Sequence, residues 1–298
     1  MRESDWIQRY IAPLVHAPGA AGLLDDVAIV SADGPTIVSM DTLTQCTHFL
    51  AADPLDTVGQ KLVRVNASDI IAKGAEPVEA LLSVAWPENG DEAEFSALMQ
   101  GIGRDLETFE IALIGGDLVG TSGPLTLTLT LTGRCLRDGP VRRSGGVAGQ
   151  TLFINGEIGW GGLGLRAAKK GGSPDLVRRY RVPQISPIAA AGVIAEFATA
   201  SMDISDGLLM DAARLGAASG CGVQLQLESV PLAQASENIE EIIAQCVPGD
   251  DYRALISAES DTAIPGFTAI GQLIPGPGLQ LSHRGVAVNT PSTLGFEH

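Results

Sequence analysis

The chain has 298 residues, with 19 Lys and Arg against 35 Asp and Glu, a formal net charge of −16. That length suggests about two domains with cores of their own, and 45% hydrophobic with 18% charged residues excludes a disordered chain. The acid excess argues against nucleic-acid binding, which needs clustered Lys and Arg, and no apolar run approaches the roughly 18 residues of a membrane span.

The opening Met1–Tyr10 has no apolar leader core, so export is not expected. Cys46, Cys135, Cys221 and Cys246 form no CxxC pair. That leaves out a zinc ribbon or thioredoxin motif and suits a reducing, cytoplasmic setting.

In chain order, Val27–Val30 and Thr36–Asp41 read as short strands around the turn Asp33-Gly34-Pro35. Thr57–Ala72 repeats its apolar positions at helical spacing, and Gly74 and Pro77 close it. Ala80–Ala85 is a buried strand and Glu92–Thr108 an amphipathic helix. Ile111–Ile114 is a strand ending at Gly115-Gly116-Asp117. In Leu125–Thr132 every odd residue is Leu and every even residue Thr, so one face is apolar and the other faces water or a partner sheet. A domain boundary falls near Pro140, giving domains 1–140 and 141–298.

The second half restarts with the strand Thr151–Ile154, a Gly-rich stretch 156–164 and a helix to Lys170. Gly171–Tyr180 reads as loop or ragged helix, Ile188–Phe197 as helix, Ser201–Ile204 as strand and Gly207–Ala218 as helix. Val223–Leu227, Tyr252–Ser257 and Phe267–Leu273 read as strands. Strands mixed with helices throughout imply a mixed α/β (α+β) chain of two α/β domains.

Most acidic residues are ordinary. Asp91, Glu92 and Glu94 sit at a helix start, and Glu237, Glu240 and Glu241 form a solvated face. A second set ends apolar segments: Asp25-Asp26, Asp41, Asp69, Asp117, Asp203 and Asp206. Sites collect at such positions in α/β folds. Taken singly, Asp69 and Asp206 read as helix caps, and Asp25, Asp117 and Asp203 as turn residues. Taken together, they point to divalent cations, because several buried carboxylates repel one another unless metal binds them.

Gly162-Leu163-Gly164-Leu165-Arg166-Ala167 fits a weak dinucleotide fingerprint, but the acidic residue expected ~20 residues on is missing, so close packing of helix on strand is the preferred reading. No P-loop, HExxH or GxSxG is present. Of the four histidines only His48, near Asp41, suggests a site.

The motifs Ser39-Met40-Asp41, His48-Phe49, Val65-Asn66-Ala67-Ser68-Asp69, Gly115-Gly116-Asp117, Arg143-Ser144-Gly145, Asp203-Ile204-Ser205-Asp206-Gly207, Gly249-Asp250-Asp251-Tyr252 and Gly295-Phe296 occur, after Asp25-Asp26, in one order. In that order and spacing the chain resembles the bacterial thiamine-monophosphate kinase family, from about Leu24 to its last residue. The wider superfamily includes aminoimidazole ribonucleotide synthetase and selenophosphate synthetase. The resemblance implies phosphorylation of thiamine monophosphate by ATP without a phosphoenzyme. It implies several Mg²⁺ ions at Asp25, Asp26, Ser39, Asp41, Asp69, Asp117, Asp203 and Asp206, with Asp25, Asp41, Asp69, Asp203 and Asp206 central to catalysis. It also implies ATP contacts at Gly116, Asp117, Arg143 and Ser205, and acceptor contacts at His48, Asp250 and Phe296. Such metals would let an acidic protein grip an anionic nucleotide. The family fold implies a homodimer whose N-terminal sheets join into a β-barrel, a role suited to Leu125–Thr132.

The chain departs from the family pattern at Leu24, Met40, Gln45-Cys46-Thr47, Lys73, Arg253 and, near the expected adenine position, Met99. The carboxylates survive while the acceptor wall is altered. Two alternatives therefore stay open: a paralogue acting on another acceptor, and a nucleotide-binding relative without catalysis.

Overall fold

The computed structural model describes residues 28–32, 34–260 and 263–296. Asp25, Asp26, Val27 and Asp33 lie outside them. The chain is mixed α/β with two domains, each built on its own sheet, and neither sheet closes into a barrel.

The first sheet takes β1 (Ala28–Ala32), β2 (Gly34–Thr44), β3 (Ala75–Pro87), β4 (Ala112–Thr121) and β5 (Thr126–Cys135) in the order β1-β2-β5-β3-β4. Only β3 and β4 run parallel, joined through a crossover helix. The Leu/Thr alternation sets the register. Leu127, Leu129 and Leu131 are fully buried, while Thr128 pairs with Thr42 and Ser83 on the other face. That second face stays largely uncovered, and Met40 and Leu81 on it are 63% and 45% exposed.

Helix α1 (Leu55–Ala72) lies across β2, β5 and β3. Helix α2 (Glu92–Thr108) packs on it, N-capped by Asp91, whose carboxylate accepts the Glu94 N–H at 2.7 Å.

The second sheet holds β6 (Thr151–Ile154), β7 (Ala200–Asp203), β8 (Gly222–Gln226), β9 (Ala254–Ala258), β10 (Thr268–Ile274), β11 (Leu279–His283) and β12 (Val286–Val288). Their order is β12-β11-β8-β10-β6-β9-β7. Both faces of its centre are buried. In β9, Ala254, Ile256 and Ala258 join the core around α1, and Leu255 joins the core on the far side. Helices α3 (Trp160–Lys170), α4 (Pro174–Arg181), α5 (Ala190–Phe197), α6 (Leu208–Ala218) and α7 (Ile239–Cys246) complete the domain. Because α1 also contacts β7 and β9, it is the layer shared by the two sheets.

The structure departs from expectation in three places. β4 does not stop at Ile114 but runs through Gly115, Gly116 and Asp117 to Thr121. Its pairing with β3 continues because Gly116 has no side chain: a Cβ there would come within 1.8 Å of the Leu82 carbonyl oxygen. Pro77 sits inside β3, beside an irregularity in its pairing with β5, rather than closing the helix. Residues 174–181 form a full helix, opened by Pro174 at its first turn. Among the described residues, no helix is long and apolar enough to cross a membrane.

The α1–α2 contact is close enough to be tested. A Cβ on Gly101 would meet the Asp56 carbonyl oxygen at 1.9 Å, whereas nothing lies within 4 Å of one on Gly103. Gly101→Ala is expected to destabilise by about 1–3 kcal/mol through overpacking. Gly103→Ala on the same helix is expected to stabilise by up to ~1 kcal/mol. Denaturant unfolding of both variants checks the contrast.

Candidate active site

Helix α1 delivers its polar residues to the end of the first sheet. Asp69 lies inside the helix and is half-buried, so it is not an N-cap. It accepts a hydrogen bond from the Ser39 hydroxyl on β2. Asn66, one turn earlier, bonds back to the Leu62 carbonyl at 2.9 Å and accepts the Asp41 N–H at 3.0 Å, pinning β2 to the helix. On the opposite side Ser68 donates to Asp203, the last residue of β7, at 2.6 Å. Asp41, Asp69 and Asp203 thus meet where the two sheets face each other across α1.

The electrostatics follow from that placement. Burial raises the Asp41 carboxyl to about 6, with its bond to Asp69 opposing and Asp206 adding to the rise. Asp69 is pushed well above the usual carboxylate range by burial, then by the charges of Asp41 and Asp203. Burial takes Asp203 to about 6; its Ser68 bond opposes this, and the cations of Arg143 and Lys73 hold it down. Lys73 is fully buried and donates to the Ser201 carbonyl at 2.8 Å. The four oxygen-bearing side chains Ser39, Asp41, Asp69 and Asp203 are the hard donors that Mg²⁺ prefers, with no thiol or imidazole among them. No tight group of three such ligands exists among the described residues. The donor chemistry therefore fits a hard dication that takes further oxygens from substrate or water.

The loop 203–207 is fastened to the loop 249–253. Asp250 donates its N–H to the Ser205 carbonyl at 2.9 Å and Tyr252 to the Ile204 carbonyl at 2.7 Å. Gly207 has φ +116°, and a Cβ on it would meet the Val247 carbonyl at 2.1 Å, so glycine is required there. Asp206 is not a cap either. Its carboxylate accepts from Arg214, which also pairs with Asp211 at 3.1 Å, and its carbonyl accepts the Phe296 N–H at 2.9 Å.

These elements enclose a cavity of about 650 Å³. It is lined by Ser39, Asp41, Asp69, Asp203, Ser205 and Asp206, and also by His48, Asp250 and Phe296. His48 Nδ1 accepts the Thr44 N–H at 3.0 Å, which leaves the proton of the neutral ring on Nε2. Asp250 and Tyr252 both have positive φ, +69° and +50°, a strained conformation of the kind that clusters at sites. Cys46 and Thr47 also line the cavity.

Two expected contributors are not brought there. Asp117 is exposed on β4, in register with Ser83, Thr128 and Thr42 on the face opposite Asp41. Gly116 shares the Asp41 face but stands three strands away, about 14 Å at the usual strand spacing. Neither lines the cavity. Arg143 acts on the cage through its charge on Asp203 without lining the cavity. Met40 points to the exposed face by strand alternation, and it is also among the residues that line the cavity. Met99 packs on the core around α1. Asp25 and Asp26 lie outside the described residues.

The sequence reading missed Lys61, which is buried and ion-paired to Asp250 at 2.7 Å, and the Asp211–Arg214 pair behind Asp206. A signal for Lys61 existed: it falls on the i, i+4, i+8 stripe with Val65 and Asp69, where a charge needs a buried partner.

Comparison with known proteins places this geometry. Residues 24–135 match the family model of the AIR synthase related protein N-terminal domain, and residues 147–284 match that of its C-terminal domain. The thiamine-monophosphate kinase of Caulobacter vibrioides is 36% identical over 99% of this chain and 90% of its own length. That of Mycobacterium tuberculosis is 33% identical over 91% of this chain and 82% of its own. A solved structure of AaThiL complexed with AMPPCP and TMP superposes with a TM-score of 0.87 at 26% identity, covering 100% of this chain and 99% of that one. With both domains matched and relatives of this identity spanning nearly its whole length, the chain belongs to the thiamine-monophosphate kinase family of AIR synthase related proteins.

Proposed function

We propose that the protein phosphorylates thiamine monophosphate with ATP, in the presence of Mg²⁺, to give thiamine diphosphate and ADP. The observation that carries this reading is the make-up of one cavity: aspartates and hydroxyls line it together with an imidazole, the Asp250 carboxylate and an aromatic ring. The neighbour solved with AMPPCP and TMP together supports a site that takes both.

In this reading Ser39, Asp41, Asp69 and Asp203 hold the metal, with Asp206 beside them and Asp25 and Asp26 added from the segment outside the described residues. Bound Mg²⁺ supplies neutralisation of the triphosphate and of the charge on the transferring group. Ser205 and Arg143 serve the nucleotide. Asp250 faces the cationic thiazolium, Phe296 offers a ring to it, and His48 donates from Nε2. The acceptor's phosphate oxygen attacks the γ-phosphorus, one P–O bond forms, the bond to the β-phosphate oxygen breaks, and ADP leaves. Catalysis then rests on in-line placement. A cytoplasmic setting suits the four cysteines, all free.

A second reading keeps this chemistry and changes the acceptor, favoured by Cys46 and Thr47 in the cavity wall. Incubation with ATP, Mg²⁺ and thiamine monophosphate separates the two. Thiamine diphosphate by chromatography is the expected product, and ATP-analogue binding without it favours the second reading. Asp69→Asn is expected to lower turnover by at least about 100-fold. Retained turnover would remove the cage from the mechanism.

We also propose a homodimer through the uncovered face of the first sheet, where Met40, Thr130 and Leu81 lie side by side across β2, β5 and β3. Light scattering is expected to give about twice 30.8 kDa, and Leu81→Arg is expected to give the single-chain mass.

A further inference from the structure

Lys61 is only 2% exposed, yet it carries a charge into the core. Its ammonium donates to Asp250 Oδ2 at 2.7 Å and to the His48 carbonyl at 3.0 Å. The ring of Tyr180, from α4, covers it at 4.6 Å. That helix is anchored in turn by Arg181, paired at 2.7 Å to Asp53, whose other oxygen accepts the Leu50 N–H at 2.8 Å. The second oxygen of Asp250 accepts the Tyr252 hydroxyl at 2.8 Å. Both oxygens of Asp250 are therefore held from behind, while the residue still lines the cavity.

One buried ammonium thus joins two segments that are far apart in sequence. The loop carrying His48 leaves β2 of the first domain, and the loop carrying Asp250 precedes β9 of the second. Lys61 sits on the rigid helix between them, eight residues before Asp69, which is about 12 Å along the axis. We propose that Lys61 is the positioning residue of the acceptor site: it fixes Asp250 and His48 on the helix that also carries Asp69, and it gives the Asp250 carboxylate a buried cationic partner. This inference rests on the reading that His48 and Asp250 face the acceptor. Substrate need not touch Lys61, and its effect passes through Asp250 and His48.

The test uses Lys61→Met, Lys61→Arg, Asp250→Asn and the double change Lys61→Met with Asp250→Asn. With thiamine monophosphate varied at saturating ATP, Lys61→Met is expected to raise KM for the acceptor at least tenfold. KM for ATP should stay within about twofold. Lys61→Arg, which keeps the charge, is expected to recover part of the loss. An equal rise in both KM values, or no change in either, overturns the proposal. A second readout does not depend on which acceptor is used. Lys61→Met strands a carboxylate, so it should lower the melting temperature, and adding Asp250→Asn should restore at least half of that loss. Additive losses overturn the proposal. If the wild-type protein fails to turn over thiamine monophosphate while the melting cycle shows coupling, the acceptor assignment falls and the positioning role stands.

Discussion

Bringing Asp41, Asp69 and Asp203 together, one buried and two half-buried, is the constraint around which the rest of the molecule is arranged. Like charges with little water around them oppose one another's ionisation, and the upward displacement of each carboxyl expresses that conflict. Each is held by a hydroxyl or amide from α1 or β2: Ser39 for Asp69, Ser68 for Asp203, Asn66 for the backbone of Asp41. These bonds fix the oxygens without removing the repulsion. A site built this way has its geometry ready and its charge unsatisfied, the condition in which a dication and its phosphate cargo bind together.

Helix α1 makes the arrangement possible because it is packed on both sides. Twelve of its eighteen residues are buried, including Lys61, Asn66 and Ser68. Its apolar residues belong to the core shared with β5 and β9, while one stripe of polar side chains reaches the cavity from the middle of the molecule. A surface helix could not hold acid and base along one line with so little freedom. The approach of α2 against it, where Gly59 and Gly101 let backbone meet backbone, adds to that rigidity.

Much of this was legible in the sequence. The Leu/Thr alternation of Leu125–Thr132 fixed which face of the first sheet is dry, because the period of a strand leaves no second solution. The helix 92–108 was readable from its acidic start and apolar stripe. The aspartates of the cage stood out because each interrupted an apolar run. What failed was anything set by pairing across long separations. Gly115-Gly116 looked like the end of a strand, since glycines weaken strands, but pairing with β3 carries the strand on and turns Asp117 to the other face. Lys61 drew no notice, because its partner Asp250 lies 189 residues away. Gly171–Tyr180 read as loop or ragged helix, yet Tyr180 and Arg181 dock a full helix there through contacts with α1 and Asp53.

The buried Lys73 has a bearing on the repulsion within the cage. It stands behind the aspartates, bonded to Ser201, and its charge eases both Asp69 and Asp203. A newly made chain therefore carries part of its own counterion into the interior. The carboxylates are brought together with one positive charge already at their back, so part of their mutual repulsion is offset within the fold itself.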